Sequence, residues 1–156
     1  MAYECLDHPD LGGRIHFRSG ASGDPASYVG PEKLAERGIA CAYLHGAGLS
    51  EYEALNSLGA QLRTDHPPYD PHPPAGALGW YRFMDDLETM SQREAGMVII
   101  VDRAAKLFAD PASWVFELIT IWVLQLPGWQ KRNVPCHLIF QMDPDPAVET
   151  IYGHNR

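Results

Sequence analysis

The stretch IACAYLHGAGLSEYEALNSLGAQLR, residues 39–63, decides the fold class because its hydrophobic pattern changes period partway along. IACAYLHG (39–46) is a near-continuous apolar run closed by glycine, the pattern of a strand buried on both faces. Beyond it, Leu55, Leu58 and Leu62 recur three to four residues apart, as one stripe of a helix does. Ser50 and Glu53 stand in S-x-x-E spacing just ahead of that stripe. Each side chain can therefore satisfy a backbone N–H that the first helical turn leaves without a partner. A strand, a glycine turn and a capped amphipathic helix open an α/β unit.

The rest of the chain continues the alternation. GMVIIVD (96–102) reads as a second buried strand and PCHLIFQM (135–142) as a third. Between the first two, Trp80, Phe83, Met84 and Leu87 recur at i, i+3, i+4 and i+7 within GWYRFMDDLETM (79–90), which is one face of a second helix. Asp110 before Pro111 is expected to open a third helix running to about Leu126 and ended by Gly128. TDHPPYDPHPPAGALG (64–79) holds five prolines, which cannot donate backbone hydrogen bonds, so a long stiff loop is predicted there.

Near the start, GRIHF (13–17) is a candidate short strand, SGASGDPAS (19–27) a loop, and PEKLAERG (31–38) a short helix with Pro31 in its first turn and Gly38 after its last. DPDPAVETIYGHNR (143–156) reads as a polar tail. Strands separated by helices imply right-handed crossovers, a parallel sheet and helices covering its faces. The expected organisation is an N-terminal extension (1–37) with room for one added strand, an α/β domain built on a three-stranded parallel sheet (38–142), and the tail (143–156).

Composition narrows the function class. The 156 residues suit one domain, and 46% hydrophobic with 21% charged residues is ordinary for a soluble globular protein. With 20 acids against 12 Lys plus Arg the formal net charge is -8, which disfavours binding to phosphate backbones and favours a basic partner. MAYECLD lacks the basic and apolar regions of a secretory signal, and no apolar run is long enough to span a bilayer. Cys5, Cys41 and Cys136 are odd in number and lack CxxC spacing, which argues against a disulfide framework or a zinc ribbon and fits a reducing cytoplasm. Cys41 and Cys136 fall within strand-like runs, where a free thiol acts as a small buried hydrophobe.

No catalytic constellation assembles. VIIVD (98–102) ends on the kind of strand-end acid that holds magnesium in nucleotide hydrolases, yet no G-x-x-x-x-G-K-[ST] loop occurs anywhere. HGAG (45–48) after a strand is similar to an esterase oxyanion loop, yet no G-x-S-x-G elbow accompanies it. Asp65, His66, Asp70 and His72 crowd the proline-rich loop, but their loose spacing does not define a metal site. Asp85 and Asp86, adjacent on a helix, point a quarter turn or more apart and so do not converge on one atom. Binding is the better class, with no cofactor implied.

The order of elements from about residue 38 to 142 resembles the barstar family of intracellular ribonuclease inhibitors. The likeness rests on GIACAYLHG and the helix after it, the PPY of the loop, GWYRFMDDL, VIIV, and the apolar third helix leading through GW and VPC into HLIFQ. It implies a three-stranded parallel sheet whose second helix and preceding loop plug the active site of a basic nuclease. The family's central aspartate on that helix matches Asp85, and its loop tyrosine best matches Tyr69. Three positions depart from the family: Tyr81 replaces a frequent second acid, Met84 a frequent tryptophan, and Gly79 an asparagine. The acid supplied by the family's third helix would fall near Ile121. These departures imply a partner other than barnase.

Helical geometry divides the second helix independently of any family. If Trp80, Phe83, Met84 and Leu87 face the core, Tyr81, Asp85 and Glu88 share another face. The expected partner surface is Tyr69, Asp70, Gly79, Tyr81, Asp85 and Glu88, with Asp85 entering a cationic pocket of a nuclease toxin. Two alternatives accompany this expectation: an immunity protein of the same fold against a toxin that is not a ribonuclease, and an interaction module without inhibitory action.

Overall fold

The structure is a computed structural model that describes residues 15–18, 36, 38–63 and 76–142. Its strands are β1 (Ile15–Arg18), β2 (Ile39–His45), β3 (Gly96–Asp102) and β4 (Cys136–Gln141), all parallel, in the spatial order β1-β4-β3-β2. Helix α1 (Glu51–Leu62) and helix α2 (Gly76–Arg93) link β2 to β3. A short helix α3 (Ala105–Ala109) and the longer α4 (Val115–Lys131) link β3 to β4.

Alternation along the strands sorts side chains to two faces. On one face Ala42, Leu44, Met97, Ile99, Val101, Leu138 and Phe140 merge with the buried stripes of α1, α2 and α4 into a single large core. On the other, Ile39, Val98, Ile100 and Ile139 form a smaller cluster with Cys41 and Tyr43. The three long helices therefore lie on the same side of the sheet, as successive right-handed crossovers in one direction require.

Every residue of β3 and of β4 is buried, which is why both read as continuous apolar runs. β2 has a similar run but stands at the sheet's edge, where Cys41 and Tyr43 are half-buried and His45 is exposed. Its expected burial on both faces is thus incomplete. The candidate strand near the N-terminus is present as β1, which joins the sheet beside β4 with Ile15 opposite Leu138.

The capping box is formed as its spacing predicts. Ser50 Oγ accepts from the Glu53 N–H at 3.2 Å, and Glu53 Oε1 accepts from the Ser50 N–H at 3.3 Å. Two boundaries differ from expectation. Asp110 does not open the third helix: it follows α3, and its side chain accepts from the Ala112 N–H at 2.9 Å within a turn before α4 begins. Gly128 does not end that helix, which continues through Pro127 and Gly128 to Lys131. The reason is tertiary. Trp129 is buried with its ring 4.7 Å from that of Trp122, and this packing holds the final turn against the local preference of proline and glycine.

Helix α2 also starts earlier than expected, so Gly76 to Gly79 belong to it and not to the loop. The remaining loop residues, the helix read at 31–38 apart from Glu36 and Gly38, Cys5 and the tail 143–156 lie outside the described residues.

Candidate functional site

Helix α2 is anchored by Trp80, Phe83, Leu87 and Met90, all buried, with half-buried Met84 packed beside them. Trp80 stacks on Trp114, the N-cap residue of α4, at a centroid distance of 6.3 Å and an interplanar angle of 17°. Trp114 is held in turn by its indole N–H, which donates to the Leu49 carbonyl at 2.8 Å. The N-terminal half of α2 is thereby fixed against both α4 and the turn before α1.

That anchoring sets what faces outward. Tyr81 is 56% exposed, and Asp85, one turn further, is also exposed. Asp85's carboxylate makes no hydrogen bond or ion pair to a described residue, while its backbone carbonyl accepts from Thr89 Oγ1 at 3.2 Å. Glu88 shares the outward stripe but is tied into the fold. Arg132 Nη1 approaches its Oε1 at 3.6 Å, and Gln92 Nε2 donates to the same oxygen at 3.2 Å. Gly79 is buried within α2. Tyr69 and Asp70 lie outside the described residues, as do Asp65, His66 and His72.

A second polar cluster closes the carboxyl end of the sheet. Asp102, only 1% exposed, accepts from Tyr43 Oη at 2.6 Å and from His45 Nδ1 at 3.0 Å through Oδ2, and from the Gly46 N–H at 3.1 Å through Oδ1. Register brings these groups together, since Tyr43 pairs with Ile100 and His45 with Asp102 on adjoining parallel strands. Gly46 is required by close approach: a Cβ there would lie 2.4 Å from the Asp102 carbonyl oxygen.

In the sequence, HGAG and VIIVD stand apart as separate motifs, and nothing local joins them. Both end strands joined by a crossover, and that is the signal that could have united them. Arg132, which secures Glu88 and Ser91, has no sequence signal because it stands at the C-cap of α4, beyond the helix end expected at Gly128.

The expectation of a buried free thiol holds for Cys136 and only in part for Cys41, which is half-buried. Cys41 and Cys136 are free, and burial pushes their thiols up to about 11 and about 12. Neither thiolate forms near neutral pH, so neither is a nucleophile or a ready metal ligand. Among the described residues no group of three His, Cys, Asp or Glu side chains is placed to hold a metal ion, and no helix is long and apolar enough to cross a membrane.

No family model and no curated protein matches the chain. Among solved structures it is similar to the Aeropyrum pernix ORC2 protein, described in ADPNP–ADP complexes, with a TM-score of 0.57 and 15% identity. The match covers 97% of this chain and 45% of that one, so this chain spans less than half of ORC2. A likeness at this identity concerns the fold: a parallel sheet with helical crossovers.

Proposed function

We propose that this protein is a barstar-like inhibitor or immunity protein that binds a basic nuclease toxin and blocks its active site with the outer face of α2. The observation that carries this reading is the division of that helix. One face is locked into the core by Trp80, Phe83 and Leu87, while the other presents Tyr81 and the uncompensated carboxylate of Asp85. A rigid helix pays little ordering entropy on binding, and an exposed carboxylate can accept charge-assisted hydrogen bonds from Arg, Lys or His of a nuclease pocket. The net charge of -8 favours encounter with a cationic partner.

The action is binding and not catalysis. A nucleotide site is not adopted for this chain, although the ORC2 structure carries nucleotides. The sequence has no phosphate-cradling G-x-x-x-x-G-K-[ST] loop, and the strand-end acid Asp102 is occupied by Tyr43, His45 and Gly46.

The test is coexpression of the chain with cationic secreted ribonucleases that arrest growth of a bacterial host. Rescue by the wild-type chain, lost on Asp85→Ala in a protein of unchanged circular dichroism, is the expected result. Equal rescue by the folded variant would remove Asp85 from the mechanism, and no rescue of any ribonuclease would remove the inhibitor reading.

A further inference from the structure

We infer that the cleft beside edge strand β2 takes the carboxyl terminus of an extended peptide from another protein, its main chain pairing with Cys41 and its terminal carboxylate with Arg63. This surface is separate from the outer face of α2 and does not depend on the inhibitor reading.

Strand geometry decides which main-chain groups β2 turns outward. Along a strand the N–H and C=O of successive residues point to opposite edges. On the β3 side, the Gly46 N–H donates to the Asp102 carbonyl and the Gly38 carbonyl accepts from the Ala95 N–H, both at 3.0 Å. Even-numbered residues of β2 therefore face β3, and odd-numbered ones face away. Tyr43 agrees, since Gln61 of α1 bonds its N–H and its carbonyl from the outer side. Gln61 covers that one residue. The outward N–H and C=O of Cys41, and those of Ile39, have no hydrogen-bond partner among the described residues.

Those groups border a cleft of about 330 Å³ between β2 and the end of α1, where Arg63 and Glu94 also stand. That is the size of a small ligand pocket. Charge and shape select the occupant. Arg63 is exposed, and its guanidinium makes no hydrogen bond or ion pair to a described residue. It caps α1 in the left-handed region at φ 57°, a position that helices usually give to glycine. Glu94 is compensated by Arg93, whose Nε donates to its Oε1 at 3.1 Å. The cleft thus offers a free cation beside unpaired main-chain groups. A guanidinium matches a carboxylate through two parallel hydrogen bonds, and a strand edge matches an extended backbone. A peptide's carboxyl terminus supplies both. A second copy of this chain, paired edge to edge, would instead bring together two chains of net charge -8.

The test selects random peptides displayed with free carboxyl termini on the full-length chain, then titrates the enriched sequences as free acids and as C-terminal amides by fluorescence anisotropy. The amides should bind about tenfold more weakly or worse, and Arg63→Gln should lose as much for the acids while no longer distinguishing the two forms. Cys41→Pro removes an outward N–H at an edge position that proline tolerates, and it should weaken acids and amides alike. Unchanged circular dichroism is expected of both variants; if Cys41→Pro unfolds, the amides and Arg63→Gln decide alone. Failure to enrich any peptide, or equal binding of acid and amide, overturns the inference. A wild-type dimer in sedimentation velocity that Cys41→Pro disperses would assign the edge to contact between copies and overturn it as well.

Discussion

Tyr43 and Gln61 exchange two hydrogen bonds: the Tyr43 N–H donates to Gln61 Oε1 at 2.7 Å, and Gln61 Nε2 donates to the Tyr43 carbonyl at 2.8 Å. These are the bonds that a neighbouring strand would make, supplied instead by a side-chain amide from α1. Ser57 Oγ accepts from the same Nε2 at 2.9 Å and holds the amide in place. β2 is an edge strand, and such edges invite pairing between molecules unless they are covered. Gln61→Ala should therefore increase self-association in sedimentation velocity and speed hydrogen exchange at the Tyr43 amide. Unchanged values for both would mean that the edge is protected by something else.

Trp80 links α2 to α4, stacking on Trp114 and meeting Phe83 edge-on at 6.0 Å. Trp80→Ala should lower unfolding free energy by about 3–5 kcal/mol, read as a lower urea midpoint at unchanged slope. A cost below about 1 kcal/mol would show that the helix is held without it.

Asp102 is buried and its carboxylate receives three donors. Asp102→Ala should cost about 1–3 kcal/mol through loss of the carboxylate's bonds to the Tyr43 hydroxyl and His45, while the Gly46 N–H keeps the backbone carbonyl of residue 102 at 3.0 Å. His45→Ala removes a largely exposed ring and should cost no more than about 1 kcal/mol. Paired denaturation curves would reveal whether that order is kept.

The cysteines give a pH prediction with a definite sign. Burial raises the Cys41 and Cys136 thiols from 9.0 to about 11 and about 12, so the folded protein holds protons that the unfolded chain releases above pH 9. Below pH 9 both states are protonated and the thiols contribute no pH dependence. Stability should fall as pH rises from about 9 towards 12, and the fall should be smaller in a Cys41→Ala, Cys136→Ala protein. At pH 8 a thiol reagent should label Cys136 only after denaturant is added, and half-buried Cys41 more slowly in the folded chain than in the denatured one.

Asp85 offers the opposite contrast, a residue expected to matter for binding and hardly at all for folding. Asp85→Ala should change stability by no more than about 0.5 kcal/mol, since its side chain is exposed and its carboxylate makes no hydrogen bond or ion pair to a described residue. The same change should cost at least about 2 kcal/mol of toxin affinity, measured by titration calorimetry. Association of the wild-type chain should slow with added salt, as steering by net charge requires.

Much of this architecture was legible because local and tertiary preferences agree. Ser50 and Glu53 mark the start of α1, and the unbroken apolar runs at 96–102 and 135–142 mark strands covered on both sides. Where the preferences part, the pattern misleads. Pro127 and Gly128 look like a helix end, but the buried Trp129 outweighs them; IACAYLHG looks central, yet edge position is set by which strands pair, and hydrophobicity alone does not encode that. For the candidate site, the outward placement of Tyr81 and Asp85 follows from helical period alone. The restraint of Glu88 by Arg132 does not, because it depends on where α4 ends in space. The burial of Gly79 follows from α2 beginning at Gly76, upstream of its obvious apolar stripe.

The pairing of β1 with β4 has a consequence for synthesis. β1 is made before every other described element, but its partner strand is made after all of them. The ribosome can release β2, β3 and their linking helices as a nascent sheet, while the edge of β3 that will receive β4 stays open. Ile15 then waits for Leu138, and the last strand must insert between two that already exist. Contacts so distant along the chain are slow to form and leave edges exposed meanwhile. The chain is therefore most vulnerable to mispairing just before its final strand emerges, at a stage when the α2 surface is already complete.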